Sequence, residues 1–175
     1  PKWYYEPGRH GGVINDLLGH GVDYCRWVCG KEITHVLSAA TACVGLPQHP
    51  AFETVGMVHY QMEGTTAICG YADYLVPTGH STGWQCLFVG TEGDATIAER
   101  QGMRLRRSGE EERLVAEGEH GRHPFLDFAC LVRDGTQPLR TTQDALRTSM
   151  ATLVAQRAAE TGATNVPVPV VWGKG

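Results

Sequence analysis

Apolar residues recur with helical periodicity over residues 13–29, a segment that Gly11-Gly12 precedes and Gly30 ends. At about 100° per residue, six of its side chains share one broad apolar face. These six are Ile14, Leu17, Leu18, Val22, Cys25 and Val28. The pattern predicts an amphipathic helix that packs this face against a core.

The sequence then changes to segments rich in Thr, Val, Ala and Tyr, which is typical of strands. Short glycine-containing connections, such as Glu63-Gly64 and Gly90-Thr91-Glu92-Gly93, separate several of them. The predicted strands cover residues 33–44, 53–62, 65–74, 85–89, 95–99, 103–107 and 112–116. This order predicts an antiparallel meander. Tyr60, Tyr71 and Tyr74 fall on strand positions, where we expect them to pack rather than to recognise a ligand.

Helical periodicity returns after the strands. One predicted helix begins at Pro124 and ends before Gly135, with Phe125, Phe128, Ala129 and Val132 on its apolar face. A longer helix has Thr141 as its N-cap and Gly162 at its C-cap. Its expected buried stripe consists of Leu146, Met150, Leu153, Val154 and Ala158.

Residues 166–171 contain Pro167 and Pro169, so they can form at most an edge strand or an extended tail. No repeat or linker divides the chain. We therefore predict a single α+β domain over residues 1–175, with an open, predominantly antiparallel sheet and helices packed on one face.

Composition narrows the classes of function. The chain has 175 residues and a net charge of −4, and it contains no run of Lys or Arg. We therefore expect no binding to nucleic acid or to an anionic membrane surface. No apolar stretch is long enough to span a bilayer. The six cysteines include no Cys-x-x-Cys pair, and we expect reduced, mostly buried thiols in a cytoplasmic protein.

A polar stripe lies opposite the apolar face of the first predicted helix. Asp16, His20, Asp23 and Trp27 all project within about 40° of one line. A histidine one turn from two carboxylates suits general acid–base chemistry on a substrate hydroxyl. The alternative is a solvated helix surface with local ion pairs. Trp27 on this stripe would be costly to leave in water, and together with Gly12 and Gly19 it favours a surface that another group approaches closely.

A metal site is a further hypothesis, because His10, Asp16, His20 and Asp23 are all of ligand type. The His-x-x-x-His and His-Glu-x-x-His spacings are absent, so the pattern argues against a metal site. The segment Gly19-His20-Gly21 is not a dinucleotide fingerprint, because it lies inside a predicted helix and Tyr24 replaces the last glycine.

Three segments resemble the C-terminal domain of the Gfo/Idh/MocA (glucose–fructose oxidoreductase / inositol dehydrogenase) family. The first, from Gly11 to Gly30, has the pattern G-G-x-x-x-D-x-x-x-H-x-x-D followed by Arg-Trp. The second is F-V-G-T-E-G-D-A at residues 88–95, and the third covers residues 125–162. Their order and spacing agree with the family over most of residues 8–162.

The resemblance implies a substrate domain that works beside an N-terminal Rossmann domain, with hydride passing to or from NAD or NADP. It implies that His20 is the acid–base for a substrate hydroxyl and that Asp16 orients and tunes it. Asp23 is implied to be structural or a supporting partner. The substrate class implied is a sugar, polyol or derivative, and the open sheet face is implied to form a homo-oligomer.

The resemblance also points to residues on the substrate side of the site. The candidates are Arg9, His10, Asp23, His80, Thr82 and Trp84. His80 also fits a solvent-exposed loop position, and Trp84 also fits a packing position in the sheet.

The chain departs from the family in having no Rossmann half. We therefore expect no cofactor-binding residues, no dinucleotide bound to this chain alone, and no turnover by the isolated chain. The start at Pro1, just ahead of Gly11-Gly12, favours a fragment of a longer oxidoreductase. The alternative is a stand-alone, non-catalytic ligand-binding or dimerisation module derived from this fold.

Overall fold

A computed structural model of the chain describes residues 2–6, 8–75, 83–99, 101–116 and 123–170. The helices, after a short 3-10 turn at Lys2–Tyr5, are α1 (Val13–Cys29), α2 (Pro124–Asp134) and α3 (Thr142–Thr161). The strands are β1 (Ile33–Ala42), β2 (Val55–Met62), β3 (Ala67–Asp73), β4 (Gln85–Gly90), β5 (Gly93–Ala98), β6 (Gly102–Arg107), β7 (Arg113–Val115) and β8 (Val166–Pro167).

The strands form two antiparallel sheets, which confirms the α+β class. One sheet has the order β3-β2-β1-β8 and the other has the order β4-β5-β6-β7. The predicted meander is therefore divided between β3 and β4, where the sequence offers no short turn to continue the pairing. The chain falls into two compact units, Pro1–Val76 with Arg140–Gly175, and Pro77–Leu139. The two-residue strand β8 lies at a sheet edge, as its prolines predict.

The core of the first unit lies between its sheet and the two helices α1 and α3. Val13, Ile14, Leu18 and Val22 of α1 pack against β1 and β2 residues such as Val36 and Tyr60, which are paired across the two strands. Helix α3 contributes Ala151, Ala155 and Ala158 to the same core. Burying apolar area from three elements is what stabilises the unit.

The apolar face predicted for α1 is correct in its centre and wrong at its edge. Ile14, Leu18 and Val22 are buried, but Val28 is exposed and Arg26 is buried in its place. The buried face is turned toward α3, because α3 packs alongside α1 and its polar groups bind the Arg26 guanidinium.

The buried stripe predicted for α3 is only partly correct: Ala158 lies in the core and Val154 packs against it. Leu146 and Leu153 are exposed, and Ala158 is the one predicted member that is fully buried. The face that meets α1 and β1 consists of small and polar residues: Thr148, Ala151, Thr152, Ala155, Gln156 and Ala158. Its polar groups find partners on α1; for example, Thr152 donates to Asn15 over 2.8 Å. Close helix packing selects small side chains, which periodicity of large apolar residues does not reveal.

Helix α2 belongs to the second unit, and its predicted bounds are confirmed. Its N-cap is His123, whose Nδ1 accepts from the amide of Phe125. The expected apolar face is not buried: Phe125, Phe128 and Val132 are all exposed. The buried side chain of α2 is instead Asp127, which accepts the amide hydrogen of Leu139 over 3.0 Å.

The six cysteines are free thiols. The expectation that most are buried is wrong, because Cys43 and Cys69 are exposed and the other four are partly exposed. None of the helices among the described residues has the length and apolar character needed to cross a lipid bilayer.

Gly12 and Gly19, the two glycines near the predicted polar stripe, differ in the space available for a side chain. They therefore form a matched pair for a stability test. Gly12 has a φ of +87°, and a Cβ there would lie 2.0 Å from the Gln156 side chain. At Gly19 a Cβ would meet no atom within 4 Å. The expected close approach is therefore real at Gly12, where the approaching group is Gln156, and is not found at Gly19 among the described residues.

We expect Gly12→Ala to lower the free energy of unfolding by about 2–5 kcal/mol, because it adds both backbone strain and overpacking. Gly19→Ala should raise it by about 0.5–1 kcal/mol, because Ala is the better helix former. Urea unfolding of the two variants measures both values. Equal effects at the two positions would contradict this account of the N-terminus of α1.

Candidate active site

Asp16 lies in the first turn of α1, and its side chain is 42% exposed. Its Oδ2 accepts a hydrogen bond from the Tyr4 hydroxyl over 2.6 Å and a short one from the Tyr74 hydroxyl. Within the described part of the chain, Oδ1 accepts no hydrogen bond. One oxygen of the carboxylate is thus held by the protein, and the other is open to an additional donor.

His10 packs against the rings of Tyr4 and Tyr74, and 9% of its side chain is exposed. Its Nδ1 accepts the amide hydrogen of Gly12 over 3.2 Å, so the ring proton of the neutral form is placed on Nε2. Nε2 lies 3.0 Å from the Tyr74 hydroxyl oxygen and 3.8 Å from Asp16 Oδ2. The bonds therefore run in one direction, from His10 to Tyr74 and from Tyr74 to Asp16.

Aromatic packing fixes the positions of these groups. The rings of Tyr4 and His10 have centroids 4.5 Å apart, and the buried Phe52 contacts Tyr4, His10 and Tyr74 at centroid distances of 4.9–5.6 Å. The two phenol oxygens are 2.9 Å apart. We call the four hydrogen-bonded residues Tyr4, His10, Asp16 and Tyr74 the Asp16 cluster.

The protonation states follow from these contacts. Burial alone would raise the pKa of Asp16, but the hydrogen bonds from Tyr4 and Tyr74 outweigh it and lower the pKa below its usual value. Burial, followed by the hydrogen bond to Asp16, raises the pKa of Tyr4 and of Tyr74. At neutral pH the carboxylate is therefore an anion, and both phenols remain donors.

His20 lies one turn after Asp16 on α1 and is exposed. Among the residues that the structure describes, none forms a hydrogen bond or ion pair with the His20 side chain. The groups that bind Asp16 are thus the phenols of its cluster and not His20. Both Asp16 and His20 present polar atoms on the outer face of the helix.

Asp23 is bound within the protein. Its Oδ1 accepts from Thr148 over 2.9 Å, and its Oδ2 forms a short ion pair with Arg140. Arg26 lies 3.6 Å from Oδ1. Both oxygens therefore face groups of this chain, and Trp27 is the exposed end of the stripe.

The remaining substrate-side candidates are Arg9, His80, Thr82 and Trp84. Arg9 is exposed and pairs with Glu6 over 3.2 Å, and Trp84 is half-exposed in the second unit. His80 and Thr82 lie outside the described residues. Of the candidates that the sequence predicted, the structure brings together His10 and Asp16.

Sequence reasoning missed Tyr4, and it predicted the packing of Tyr74 but not its contact with Asp16. Tyr74 packs against the core, and from its position directly after β3 its hydroxyl reaches Asp16, 58 residues away in the sequence. No local sequence pattern predicts that the phenol of Tyr4 or of Tyr74 contacts Asp16. The one available signal is the run Tyr4-Tyr5 close before the Gly11-Gly12 turn, which places aromatic rings near the start of α1.

The described residues offer no group of three His, Cys, Asp or Glu side chains placed to hold a metal ion. Of the four suggested ligands, Asp23 binds Arg140 and Thr148, and His10 uses both ring nitrogens within the protein. Both sheets of the described residues are antiparallel, and Gly19-His20-Gly21 lies inside α1, so this segment is not the glycine-rich turn between a strand and a helix of a Rossmann fingerprint.

Comparison with solved structures gives relatives of the same fold. A Thermotoga maritima protein classed with the oxidoreductases is 26% identical, with a TM-score of 0.86, over 95% of this chain and 50% of that chain. The aldose-aldose oxidoreductase from Caulobacter crescentus, complexed with glycerol, is 17% identical with a TM-score of 0.74, over 94% and 50%. Levoglucosan dehydrogenase, complexed with NADH and L-sorbose, is 15% identical with a TM-score of 0.74, over 91% and 51%. This chain spans about half the length of each.

No curated protein sequence matches the chain. The family model described as the GFO/IDH/MocA C-terminal domain matches residues 1–96, which include α1 and the whole Asp16 cluster. The expected family is therefore confirmed, and the chain belongs to the GFO/IDH/MocA family of oxidoreductases as its C-terminal domain.

Proposed function

We propose that this chain is the substrate-binding domain of an NAD(P)-dependent oxidoreductase that acts on a hydroxyl or carbonyl group of a sugar, polyol or derivative. The observation that carries the proposal is the pairing of an anchored carboxylate, Asp16, with an exposed histidine, His20, one turn apart on the outer face of α1. Such a pair can bind a substrate hydroxyl and exchange its proton.

The two side chains would have different tasks. His20 takes the proton of the substrate hydroxyl during oxidation and returns it during reduction. Asp16 stays ionised, because its pKa is lowered by its two phenol donors, and it accepts a hydrogen bond from a substrate hydroxyl through the open Oδ1. The acid–base work would therefore fall to His20, with Asp16 as the orienting acceptor.

The cofactor would be NAD or NADP, held by a Rossmann domain, because the described residues form no dinucleotide-binding fold. Two relatives support the ligand classes: one was solved with glycerol, and another with NADH and L-sorbose. Both organic ligands are polyhydroxylated, which suits recognition by an aspartate and a histidine. The six free thiols are consistent with a cytoplasmic location.

The proposal is tested on the native gene product. We expect a mass close to twice 19.1 kDa and binding of NAD or NADP. We also expect reduction of the dinucleotide at 340 nm with at least one member of a panel of sugars and polyols. A product of 19.1 kDa that neither binds the dinucleotide nor turns over any substrate would contradict it and favour a non-catalytic ligand-binding or dimerisation module.

We further propose a homo-oligomer that forms through the open face of the first sheet. Helices α1 and α3 cover one face, and on the other face Met57 and Tyr71, which pair across β2 and β3, are more than half exposed. Apolar faces of this kind are usually covered by another copy or partner.

Replacing Met57 with Asp should dissociate such an oligomer, because it buries a carboxylate without a partner. Size-exclusion chromatography with light scattering of the native gene product measures the change. Leu153→Asp is the control, because Leu153 on α3 is exposed to a similar extent and lies away from this face. An oligomer unaffected by Met57→Asp, or equally affected by the control, would contradict this interface.

A further inference from the structure

We infer that Tyr74 and His10 are positioning residues for Asp16, fixing its carboxylate so that Oδ2 is anchored and Oδ1 points to the substrate. The inference rests on the proposed function, since it assigns Asp16 a role in substrate binding. It adds residues outside the Asp–His stripe, and it places them in a fixed order of donors and acceptors.

The direction of the hydrogen bonds carries the argument. The amide of Gly12 donates to Nδ1 of His10, so the Nε2 proton of His10 is directed at the Tyr74 oxygen. That oxygen has one proton of its own, and the Asp16 Oδ2 is its acceptor. The backbone at the start of α1 therefore sets the ring of His10, His10 sets Tyr74, and Tyr74 sets Asp16.

Both phenols converge on the same carboxylate oxygen. Tyr4 also donates to Oδ2, so two donors hold one oxygen while Oδ1 accepts from no described residue. A carboxylate that served packing alone would gain more from donors on both oxygens. The one-sided arrangement instead leaves an ionised acceptor on the outer face of α1, where His20 also lies.

Helix capping does not account for the contacts of Asp16 itself. The free amides at the start of α1 are satisfied by other side chains: Gly12 by His10, Val13 by Glu53 over 3.4 Å, and Ile14 by Gln156 over 3.3 Å. Asp16 is not among these acceptors. Its partners are phenol hydroxyls, which a purely structural cap does not require.

The first variant is Tyr74→Phe, made in the native gene product. It removes the hydroxyl and keeps the ring against Phe52. We expect kcat to fall about tenfold to a hundredfold, the range for loss of one hydrogen bond to a charged group. The dissociation constant for the dinucleotide should stay unchanged. Tyr5→Phe is the matched control, because it removes a phenol hydroxyl that no described residue binds and keeps the ring stacked on His49.

The pH profile separates positioning from a merely structural effect. The Tyr74 hydrogen bond lowers the pKa of Asp16, so its loss raises that pKa, and the part of the acid limb of kcat/KM that follows protonation of Asp16 should move to higher pH. The other ionisable groups that face Asp16 are Tyr4, His10 and, along its own helix, His20. The 13C signal of the Asp16 carboxyl, followed by NMR against pH, should move in the same direction without any assay of activity.

Two His10 variants test the order of the bonds. A glutamine amide nitrogen can replace Nε2 as the donor to Tyr74, whereas an asparagine can replace only the Nδ1 acceptor. We therefore expect His10→Gln to retain most of kcat and His10→Asn to lose about as much as Tyr74→Phe. Equal urea midpoints for all variants establish that none of them acts by unfolding.

The results distinguish a failure of the proposed function from a failure of the positioning role of Tyr74 and His10. If Asp16→Asn and His20→Ala leave turnover unchanged, the proposed function fails, and the inference fails with it. If those two variants abolish turnover while Tyr74→Phe behaves like Tyr5→Phe and leaves the Asp16 titration unmoved, the inference alone is overturned.

Discussion

Asp16→Asn in the native gene product is expected to lower kcat by about two to three orders of magnitude. The amide keeps the shape of the carboxylate but removes its charge. In the proposed site this charge orients the substrate hydroxyl, and the Tyr4 and Tyr74 hydroxyls already hold the carboxylate in position. The stability of the variant should fall slightly, because the lowered pKa of Asp16 means that the ionised form stabilises the fold, and because the side chain is 42% exposed the loss should be small. Steady-state kinetics together with urea unfolding measure both quantities.

Glu160→Gln is the control for the charge change. Glu160 on α3 is 45% exposed and pairs with Arg157 on the helix surface, so its neutralisation should leave kcat within about twofold. A normal kcat for Asp16→Asn, or an equal loss for both variants, would remove Asp16 from the site.

Arg26→Met is expected to lower the free energy of unfolding by about 3–5 kcal/mol. Arg26 is 6% exposed, and its guanidinium binds both oxygens of Glu32 over 2.9 Å. It also donates to the Thr148 hydroxyl over 2.8 Å and to the Asp144 carbonyl over 3.0 Å. Removing it leaves partly buried carboxylates and acceptors without their main donor.

Arg157→Met provides the comparison. Arg157 is 74% exposed and forms a surface pair with Glu160, so its loss should cost less than about 0.5 kcal/mol. Urea unfolding of the two variants measures the difference. Similar losses would mean that the contacts of Arg26 with Glu32 and with α3 do not hold the unit together.

The element boundaries could be predicted because they depend on local chemistry. Thr141 and Asp144 form a reciprocal capping box at the start of α3, and Gly30, Gly135 and Gly162 adopt left-handed conformations at three helix ends. Each of these features depends on residues within one turn of the boundary. A single sequence therefore contains the information needed to place them.

The buried face of α3 could not be predicted in the same way. Its Thr152 hydroxyl is satisfied by Asn15, which lies 137 residues away, and its alanines are buried because α1 and β1 approach closely. Periodicity records which residues are apolar along one helix. It does not record which partner helix supplies a hydrogen bond or requires a small side chain.

In the candidate site, too, local features could be predicted and long-range contacts could not. Asp16 and His20 could be placed on one outer face of α1, because their spacing along a helix determines it. The Asp16 cluster could not, because Tyr4, His10 and Tyr74 reach the carboxylate from the N-terminal segment and from the end of β3. The same tertiary contacts also separate the roles of Asp16 and Asp23, which the spacing alone treats alike.

The central claim is that His20 carries the substrate proton. The most direct test is the turnover of the His20→Ala variant of the native gene product, measured together with its affinity for NAD or NADP. We predict that kcat falls by at least about a hundredfold while the dissociation constant of the dinucleotide stays within about twofold. Unchanged turnover at saturating substrate would contradict the account.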